Sequence, residues 1–231
     1  MVGAQNVSEQ YLLAAANQDR AAHGLGPVRV DEHLALAARL HAYQMADHRE
    51  ISHQFEGEKG LASRASDSGA HFSLITENVA EASNSALIHD LWMNSEGHRA
   101  NLLDPNVDAV GIAVVQKRGQ LYAVEDFART VTQLSIDQQE ARVGGLLSAV
   151  GLRLNGSKAD ARQTCTMSSG FVGSRQPGFV MRYSGSSLDR LPDQLTARIG
   201  TGKYREAVVG ACVIAKQTPF SGYNIAVMLF Q

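Results

Sequence analysis

The segment Trp92–Pro105 (WMNSEGHRANLLDP) collects side chains that can bind a metal ion or move a proton. His98 could serve there as a metal ligand, as a general base or only as a packing residue. Ser95 and His98, three positions apart, invite a serine-hydrolase interpretation, but the chain contains no G-x-S-x-G nucleophile pattern. We therefore expect Ser95 to cap a short helix and His98 to be its third residue, where the positive helix end favours the neutral imidazole.

Helical periodicity and helix-end signals predict the elements around this segment. The predicted helices are Ser8–His23, Asp31–Arg49, Leu61–Asp67 and Asn84–Met93, and the predicted strands are Ala109–Gln116 and Gln120–Ala128. The segment His71–Ala80 reads as extended or irregular. The KRG sequence between the two strands indicates a hairpin.

Several polar side chains on these elements could belong to a site, but structural roles explain them better. Asn17 and Arg20, one turn apart on the first helix, are expected to tie loops through hydrogen bonds. Arg64 and Arg99 could bind an anion, although structural or solvated ion pairs are favoured. His41 is expected on the helix surface or in the lining of a cleft, without a ligand role.

The character of the chain changes after Arg129, so we place a domain boundary near Gln133, giving domains 1–133 and 134–231. In the second domain we predict helices over Ile136–Val150 and Leu188–Ile199, with strands Phe179–Tyr183, Val208–Ala215 and Tyr223–Phe230. The sequence LNGSKADARQ is expected to be a loop. These elements predict a small α+β module, and no internal repeat is visible in the sequence.

Composition limits the classes of partner. The chain has 231 residues, 44% hydrophobic and 19% charged, with a net charge of −2, which is typical of a globular protein. A weakly acidic chain lacks the basic face that nucleic acids require, so we expect no nucleic-acid partner. No apolar run is long enough for a transmembrane segment. No signal peptide is visible, so a secreted or periplasmic location requires that a leader has been removed.

The two cysteines, Cys165 and Cys212, both lie in the second domain. Their spacing fits neither a CxxC redox pair nor a zinc ribbon. Two interpretations stay open: a pair of buried reduced thiols, or a single disulfide. The disulfide would imply an oxidising compartment.

Five sequence blocks, taken in order over residues 8–129, resemble the CAP superfamily of cysteine-rich secretory, antigen-five and plant pathogenesis-related proteins, in its bacterial form. The blocks are LLAAANQDRAAHGLGPVRVDEHLALAARLHAYQMA, SHQF, TENVA, WMNSEGHRANLLDPNVDAVGIAVV and LYAVEDFA. The resemblance implies an α-β-α sandwich for residues 1–133, followed by the small α+β module, whose type is not recognised.

The superfamily has a central cleft with two histidines and two acids, which by position fall on His53, Glu77 and His98. Ser95 stands where the second acid is usual, and Glu96 beside it would point about 100° away around a helix. The resemblance therefore implies a ligand-binding cleft lined by His53, Glu77, Ser95 and His98, with one acid missing.

Two neutral imidazoles near a carboxylate can bind Zn²⁺ or another divalent metal ion, so His53 and His98 are the predicted metal ligands. The favoured function is a secreted or periplasmic binding protein for a metal ion, a small ligand or an envelope component. One alternative is a metal-dependent peptidase with Glu77 as general base. Another is an envelope interaction protein whose cleft is vestigial.

Overall fold

The chain forms two compact units, Met1–Thr130 and Val131–Gln231. The computed structural model describes residues 5–213 and 218–231. Each unit contains one four-stranded sheet with helices packed against it. The mixed α+β class predicted from the sequence is confirmed.

The first unit contains five helices and four strands within its described residues. The helices are α1 (Val7–Ala22), α2 (Glu32–His48), α3 (Leu61–Asp67), α4 (Ser85–Asn94) and α5 (Glu96–Leu102), and the strands are β1 (Arg29–Val30), β2 (Phe72–Ala82), β3 (Ala109–Lys117) and β4 (Gln120–Thr130). The strand order is β1-β3-β4-β2. β1 runs parallel to β3, and the other neighbours are antiparallel.

Helices cover both faces of this first sheet. Ile112 of β3 belongs to a core with Leu12 of α1 and Trp92 of α4. On the opposite face, Val124 of β4 packs in a core with Met45 of α2. Because successive strand residues point to opposite faces, alternate residues of β3 and β4 supply the two cores. The result is the α-β-α sandwich that the resemblance implies.

Buried polar side chains fix the ends of this sandwich. Arg20 of α1 donates to the backbone oxygens of Leu102 at 2.8 Å and Asp104 at 2.9 Å, and so holds the end of α5. Asn17 exchanges hydrogen bonds with the backbone of Val28 at 2.8 and 3.1 Å. The loop-tying roles predicted for Asn17 and Arg20 are confirmed.

The second unit contains helices α6 (Ile136–Ala149), α7 (Lys158–Thr166) and α8 (Asp193–Ile199) and strands β5 (Arg153–Leu154), β6 (Phe179–Gly185), β7 (Glu206–Cys212) and β8 (Tyr223–Phe230). The expected strand Val208–Ala215 ends at Cys212, and Ile214 and Ala215 lie outside the described residues. The predicted helix over Leu188–Ile199 begins only at Asp193, after Pro192. Proline restricts the residue before it to extended conformations, which explains the late start.

The expected loop LNGSKADARQ is wrong over most of its length, because α7 occupies Lys158–Thr166. Ser157 caps this helix by accepting from the backbone N–H of Asp160 at 3.2 Å. Cys165 of α7 forms a disulfide with Cys212 of β7, with a Cα–Cα distance of 5.8 Å. Of the two interpretations of the cysteines, the disulfide is the one confirmed.

The second unit repeats the topology of the first, although the sequence shows no repeat. Its strand order β5-β7-β8-β6 corresponds to the order β1-β3-β4-β2 of the first unit. The two-residue strand β5 runs parallel to β7, as β1 does to β3. β8 is antiparallel to both β7 and β6, as β4 is to β3 and β2. In each unit a helix precedes the short strand and another follows it. The expectation of no internal repeat therefore fails at the level of the fold.

Backbone hydrogen bonds align the two units residue by residue. Asp31 N–H donates to the Val110 oxygen at 3.0 Å, and Asn155 N–H donates to the Ala207 oxygen at 2.9 Å. The residues that follow β1 and β5 are thus equivalent, and so are Val110 and Ala207 within β3 and β7.

A buried glutamate repeats with the same partners. Glu9 of α1 accepts from the Val114 N–H at 3.1 Å and pairs with Arg39 of α2 at 3.4 Å. Glu140 of α6 accepts from the Ala211 N–H at 3.2 Å and pairs with Arg162 of α7 at 2.6 Å. Val114 of β3 and Ala211 of β7 are equivalent residues of the two sheets. The two glutamates therefore accept hydrogen bonds from equivalent strand N–H groups. Each glutamate satisfies a buried strand N–H that would otherwise lack an acceptor.

Candidate functional site

Glu77 is the centre of a buried polar cluster on one face of the first sheet. It lies in β2, its exposed fraction is 6%, and it faces Asp126 directly across the β2–β4 ladder. Side chains from α2, α3 and the loop between them contact the Glu77 carboxylate. A buried carboxylate requires charged or hydrogen-bonding partners, and this one has several.

His53, in the loop between α2 and α3, contacts Glu77 directly. Its Nδ1 lies 2.9 Å from Glu77 Oε1, while 62% of the His53 side chain is exposed. The hydrogen bond with Glu77 raises the pKa of His53 above its ordinary value, and partial burial opposes the shift. Because Nδ1 donates to the carboxylate, Nε2 is the ring nitrogen that remains for a ligand.

Arg64 of α3 holds both Glu77 and the His53 loop. Its guanidinium donates to Glu77 Oε2, to the backbone oxygen of His53 at 3.0 Å and to that of Lys59 at 3.2 Å. These bonds confirm the structural ion pair favoured for Arg64. Arg99, by contrast, is exposed and donates to the Met93 oxygen at 2.8 Å.

His41 of α2 holds the loop between α2 and α3, which carries His53. The expectation that His41 lies on the helix surface or lines a cleft is wrong, because the ring is fully buried. Its Nδ1 lies 2.8 Å from Glu58 Oε1 and its Nε2 lies 2.7 Å from the Ser52 oxygen. Since both ring nitrogens are occupied, His41 positions the loop that carries His53 and offers no nitrogen to a ligand.

Asp126 is the member of the cluster that the sequence reasoning missed. It is fully buried, and no N–H or O–H donor among the described residues reaches its carboxyl oxygens. Burial raises the pKa of Asp126 well above its usual range, and the charge of Glu77 raises it further. The pair is stable when one carboxyl carries a proton that it donates to the other. Two acids inside the otherwise apolar strand LYAVEDFA were the sequence signal that could have revealed it.

His98 lies on α5, and α5 is fastened to β2 beside Glu77. Asn78 donates to the backbone oxygen of His98 at 3.0 Å, and Asn101 donates to the backbone oxygen of Glu77 at 3.2 Å. The His98 side chain is half-buried. Burial lowers the pKa of His98, and the charge on His53 lowers it further.

Ser95 is the N-cap residue of α5 and His98 its third residue, as expected. The side-chain capping bond predicted for Ser95 is nevertheless wrong, since its hydroxyl makes none. Across the described parts of the chain, no side-chain hydrogen bond links Ser95 to His53, Glu77 or His98. The structure therefore joins His53 to Glu77, fastens the helix that carries His98 to the strand that carries Glu77, and leaves Ser95 at the helix junction.

The donor set limits what the site can hold. Within residues 5–213 and 218–231, no group of three or more His, Cys, Asp or Glu side chains is arranged to hold a metal ion. The imidazoles of His53 and His98 could provide two ligands, with water or a bound molecule completing the shell. An open groove of about 440 Å³ lies along the face of α5 that points away from His98. It is lined by Glu96, Arg99, Ala100, Leu103, Asp104 and Pro105.

Within its described residues, the second unit has no counterpart of the polar cluster. By strand register, Val180 of β6 and Met228 of β8 occupy the positions of Glu77 and Asp126. Both side chains belong to an apolar core with Ala161. The carboxyl pair is thus confined to the first unit, although both units share the plan of their sheets.

Comparisons with known proteins concern the first unit. Two curated relatives from Bacillus subtilis are each 30% identical to this chain: "Uncharacterized protein YkwD" over 109 residues and "Uncharacterized membrane protein YlbC" over 115 residues. These matches cover 47% and 49% of this chain but only 42% and 33% of the relatives. The chain therefore spans less than half the length of the curated relatives it matches.

Solved structures agree with the fold of the first unit. An extracellular protein containing an SCP domain from Bacillus anthracis matches with a TM-score of 0.50 and 27% identity, over 55% of this chain and 45% of its own. An outer surface protein from Borrelia burgdorferi matches with a TM-score of 0.51 and 19% identity, over 56% of this chain and 99% of its own, and shows the fold alone.

No described helix is long and apolar enough to cross a membrane.

The family model for the cysteine-rich secretory protein family, CAP, matches residues 13–132. This match covers more than half of the chain and contains every residue of the His53–Glu77–His98 site. The chain belongs to the CAP family of cysteine-rich secretory proteins.

Proposed function

We propose that this chain is an extracellular binding protein whose first unit uses His53 and His98 to bind a divalent metal ion, most simply Zn²⁺, together with a small ligand. The observation that carries the proposal is the 2.9 Å contact between His53 Nδ1 and Glu77 Oε1. A carboxylate that accepts a hydrogen bond from one ring nitrogen orients the other nitrogen toward a metal ion and strengthens it as a metal ligand.

His98 suits the second ligand position because its pKa is lowered. An imidazole binds a metal ion only when its coordinating nitrogen carries no proton, and a lowered pKa keeps His98 neutral near pH 7. His53 differs, because Glu77 raises its pKa. Metal binding at His53 would displace a proton, so affinity should fall as the pH is lowered.

Binding is favoured over hydrolysis because Glu77 is already occupied. Its Oε1 accepts from His53, its Oε2 accepts from Arg64, and Asp126 faces it across the sheet. A general base needs a free oxygen within reach of the attacking water. The peptidase alternative with Glu77 as base would require these contacts to break.

An extracellular or periplasmic location is supported by three observations. The family is one of secretory proteins, a structural relative is described as extracellular, and Cys165 forms a disulfide with Cys212. Disulfides persist in oxidising compartments. Secretion would involve a leader that is later removed.

Isothermal titration with Zn²⁺ tests the proposal on the full chain. The wild type and His23→Ala, which alters an exposed histidine away from the site, should bind one equivalent. His53→Ala and His98→Ala should each abolish most of the heat. Equal binding by all four proteins would contradict the proposal, and equally negligible heats would favour a vestigial cleft. A casein digest with zinc, with and without chelator, tests the peptidase alternative.

A further inference from the structure

Charge divides unevenly between the two units. The second unit, from Val131, contains eleven Lys and Arg residues against six Asp and Glu, whereas the first contains ten against seventeen. The net charge of −2 for the whole chain therefore hides a basic second unit and an acidic first unit. The expectation of no nucleic-acid partner rested on the charge of the whole chain, and that argument does not apply to the second unit by itself.

Five cationic residues of the second unit gather at one end of its sheet, and we name Arg153, Arg175, Arg198, Lys203 and Arg205 the basic rim. Strand register defines this end: Arg153 begins β5 opposite Glu206 at the start of β7, and Glu206 pairs with Phe230 at the end of β8. Phe179, at the start of β6, pairs with Leu229 of β8.

Contacts place the arginines of the rim at these strand ends. The Arg175 guanidinium lies 4.3 Å from the centre of the Phe230 ring, and that of Arg198 lies 4.8 Å from the centre of the Phe179 ring. The backbone N–H of Arg205 donates to the Phe230 oxygen at 2.9 Å. Lys203 precedes Arg205 by two residues. The rim therefore borders the ends of all four strands, with Arg175 against one face of the sheet and Arg198 against the other.

A single acidic side chain pairs with two of the five cations of the rim. Glu206 accepts from Arg153 at 3.1 Å and also from Arg175. Across the described part of the second unit, no carboxylate forms an ion pair with Arg198, Lys203 or Arg205. All five cationic side chains are exposed. The rim thus presents an excess of positive charge to solvent.

The shared fold does not require this charge. In the first unit the residue before β3 is Asp108, whose backbone oxygen accepts from Arg29 at 3.1 Å. In the second unit the equivalent oxygen belongs to Arg205 and accepts from Arg153 at 3.0 Å. The same backbone position is therefore acidic in one unit and basic in the other. Its basic character is a property of the second unit and not of the topology.

We propose that the basic rim binds an extended polyanion whose backbone carries phosphate groups. Neighbouring strands lie about 4.8 Å apart, so the ends of four strands form a row about 14 Å long. A narrow row of this kind matches an extended polymer better than the plane of a bilayer. The planar guanidinium group donates two parallel hydrogen bonds to a phosphate, which suits the four arginines of the rim.

Binding of inorganic polyphosphate to the full chain, measured over a series of salt concentrations, tests this proposal. The rim variant Lys203→Gln/Arg205→Gln should bind about tenfold more weakly, with a salt dependence reduced by about two counterions. The control Arg142→Gln/Arg190→Gln removes two exposed charges outside the rim in the same unit, where Arg142 pairs with Asp189 and Arg190 with Asp193. It should bind like the wild type.

A charge-preserving variant, Lys203→Arg/Arg205→Lys, should retain binding, which separates loss of charge from loss of folding. Equal weakening in the rim and control variants, or no binding by the wild type, would overturn the proposal. Binding to anionic phospholipid vesicles without binding to polyphosphate would also overturn it. Zinc titration of the rim variant should be unchanged, so this result is independent of the His53–His98 site.

Discussion

Glu77 and Asp126 face each other across the β2–β4 ladder, so that two buried carboxyl groups share one side of the first sheet. Arg64 and His53 approach Glu77, while no donor among the described residues reaches Asp126. The protonated form of Asp126 can therefore act as a neutral donor to Glu77. The pair fixes the carboxylate that orients His53.

Glu77→Gln should weaken zinc binding without abolishing it. A glutamine oxygen can still accept a hydrogen bond from His53 Nδ1. The variant lacks the negative charge that strengthens Nε2 of His53 as a metal ligand. Changes in such supporting groups typically reduce metal affinity by about 10- to 100-fold. Competition with a chelating dye would measure the change. An affinity equal to that of the wild type would show that Glu77 does not support the ligand.

Arg64→Gln should destabilise the first unit by about 3–5 kcal/mol, because it leaves the buried Glu77 charge without its main partner. It also removes the bonds from Arg64 to the His53 and Lys59 oxygens. Urea unfolding, followed by the fluorescence of Trp92, would measure the loss. The matched control Arg99→Gln alters an exposed arginine and should cost less than about 0.5 kcal/mol.

Glu125→Gln should change the pH dependence of stability. Burial raises the pKa of Glu125 to about 8. The folded state therefore holds a proton that the unfolded chain releases near pH 4.5, and this contribution to stability is present below that pH and lost as the pH rises toward 8. The loss should be on the order of a few kcal/mol.

The Glu125→Gln variant lacks this titration, so its advantage over the wild type should grow between about pH 5 and pH 8. Parallel pH profiles of the unfolding free energy for the two proteins would refute the assignment. Glu125 lies on the opposite face of the sheet from Asp126, since the two residues are consecutive in β4. Its titration can therefore be followed in a protein that keeps the Glu77–Asp126 pair.

Glu9→Ala and Glu140→Ala should have matching effects in the two units. Each change leaves a buried strand N–H, that of Val114 or of Ala211, without its acceptor, which costs about 1–3 kcal/mol. Hydrogen exchange followed by mass spectrometry should show lost protection in β3 for the first variant and in β7 for the second. Loss of protection in only one case would mean that the repeated contacts are not equivalent.

Local patterns in the sequence predicted most elements of the first unit because its helices are long and have clear end signals. Asp31 caps α2, and Asn84 caps α4. The short helix α7 was missed because its sequence is mostly polar, and only packing against β7 buries Ala161 and Cys165. The repeat was invisible because it lies mainly in backbone contacts: a few side chains such as Glu9 and Glu140 recur, but Glu77 and Asp126 are replaced by Val180 and Met228.

The candidate site was predictable only in part. The resemblance named His53, Glu77 and His98, because these residues occupy recognisable blocks. Asp126 was missed because its role depends on strand register, which pairs it with Glu77, 49 positions earlier in the chain. The same limit applies to His41, whose partners lie in a loop that helical periodicity cannot place.

Anomalous diffraction at the zinc absorption edge, from crystals of the full chain grown with zinc, tests the central claim most directly. We predict one strong peak within about 2.0–2.1 Å of a ring nitrogen of both His53 and His98, with Nε2 as the ligand atom of His53. His98→Ala crystals should lose that peak. Absence of a peak at these rings in the wild type, or a zinc ion bound elsewhere with both rings free, would contradict the account.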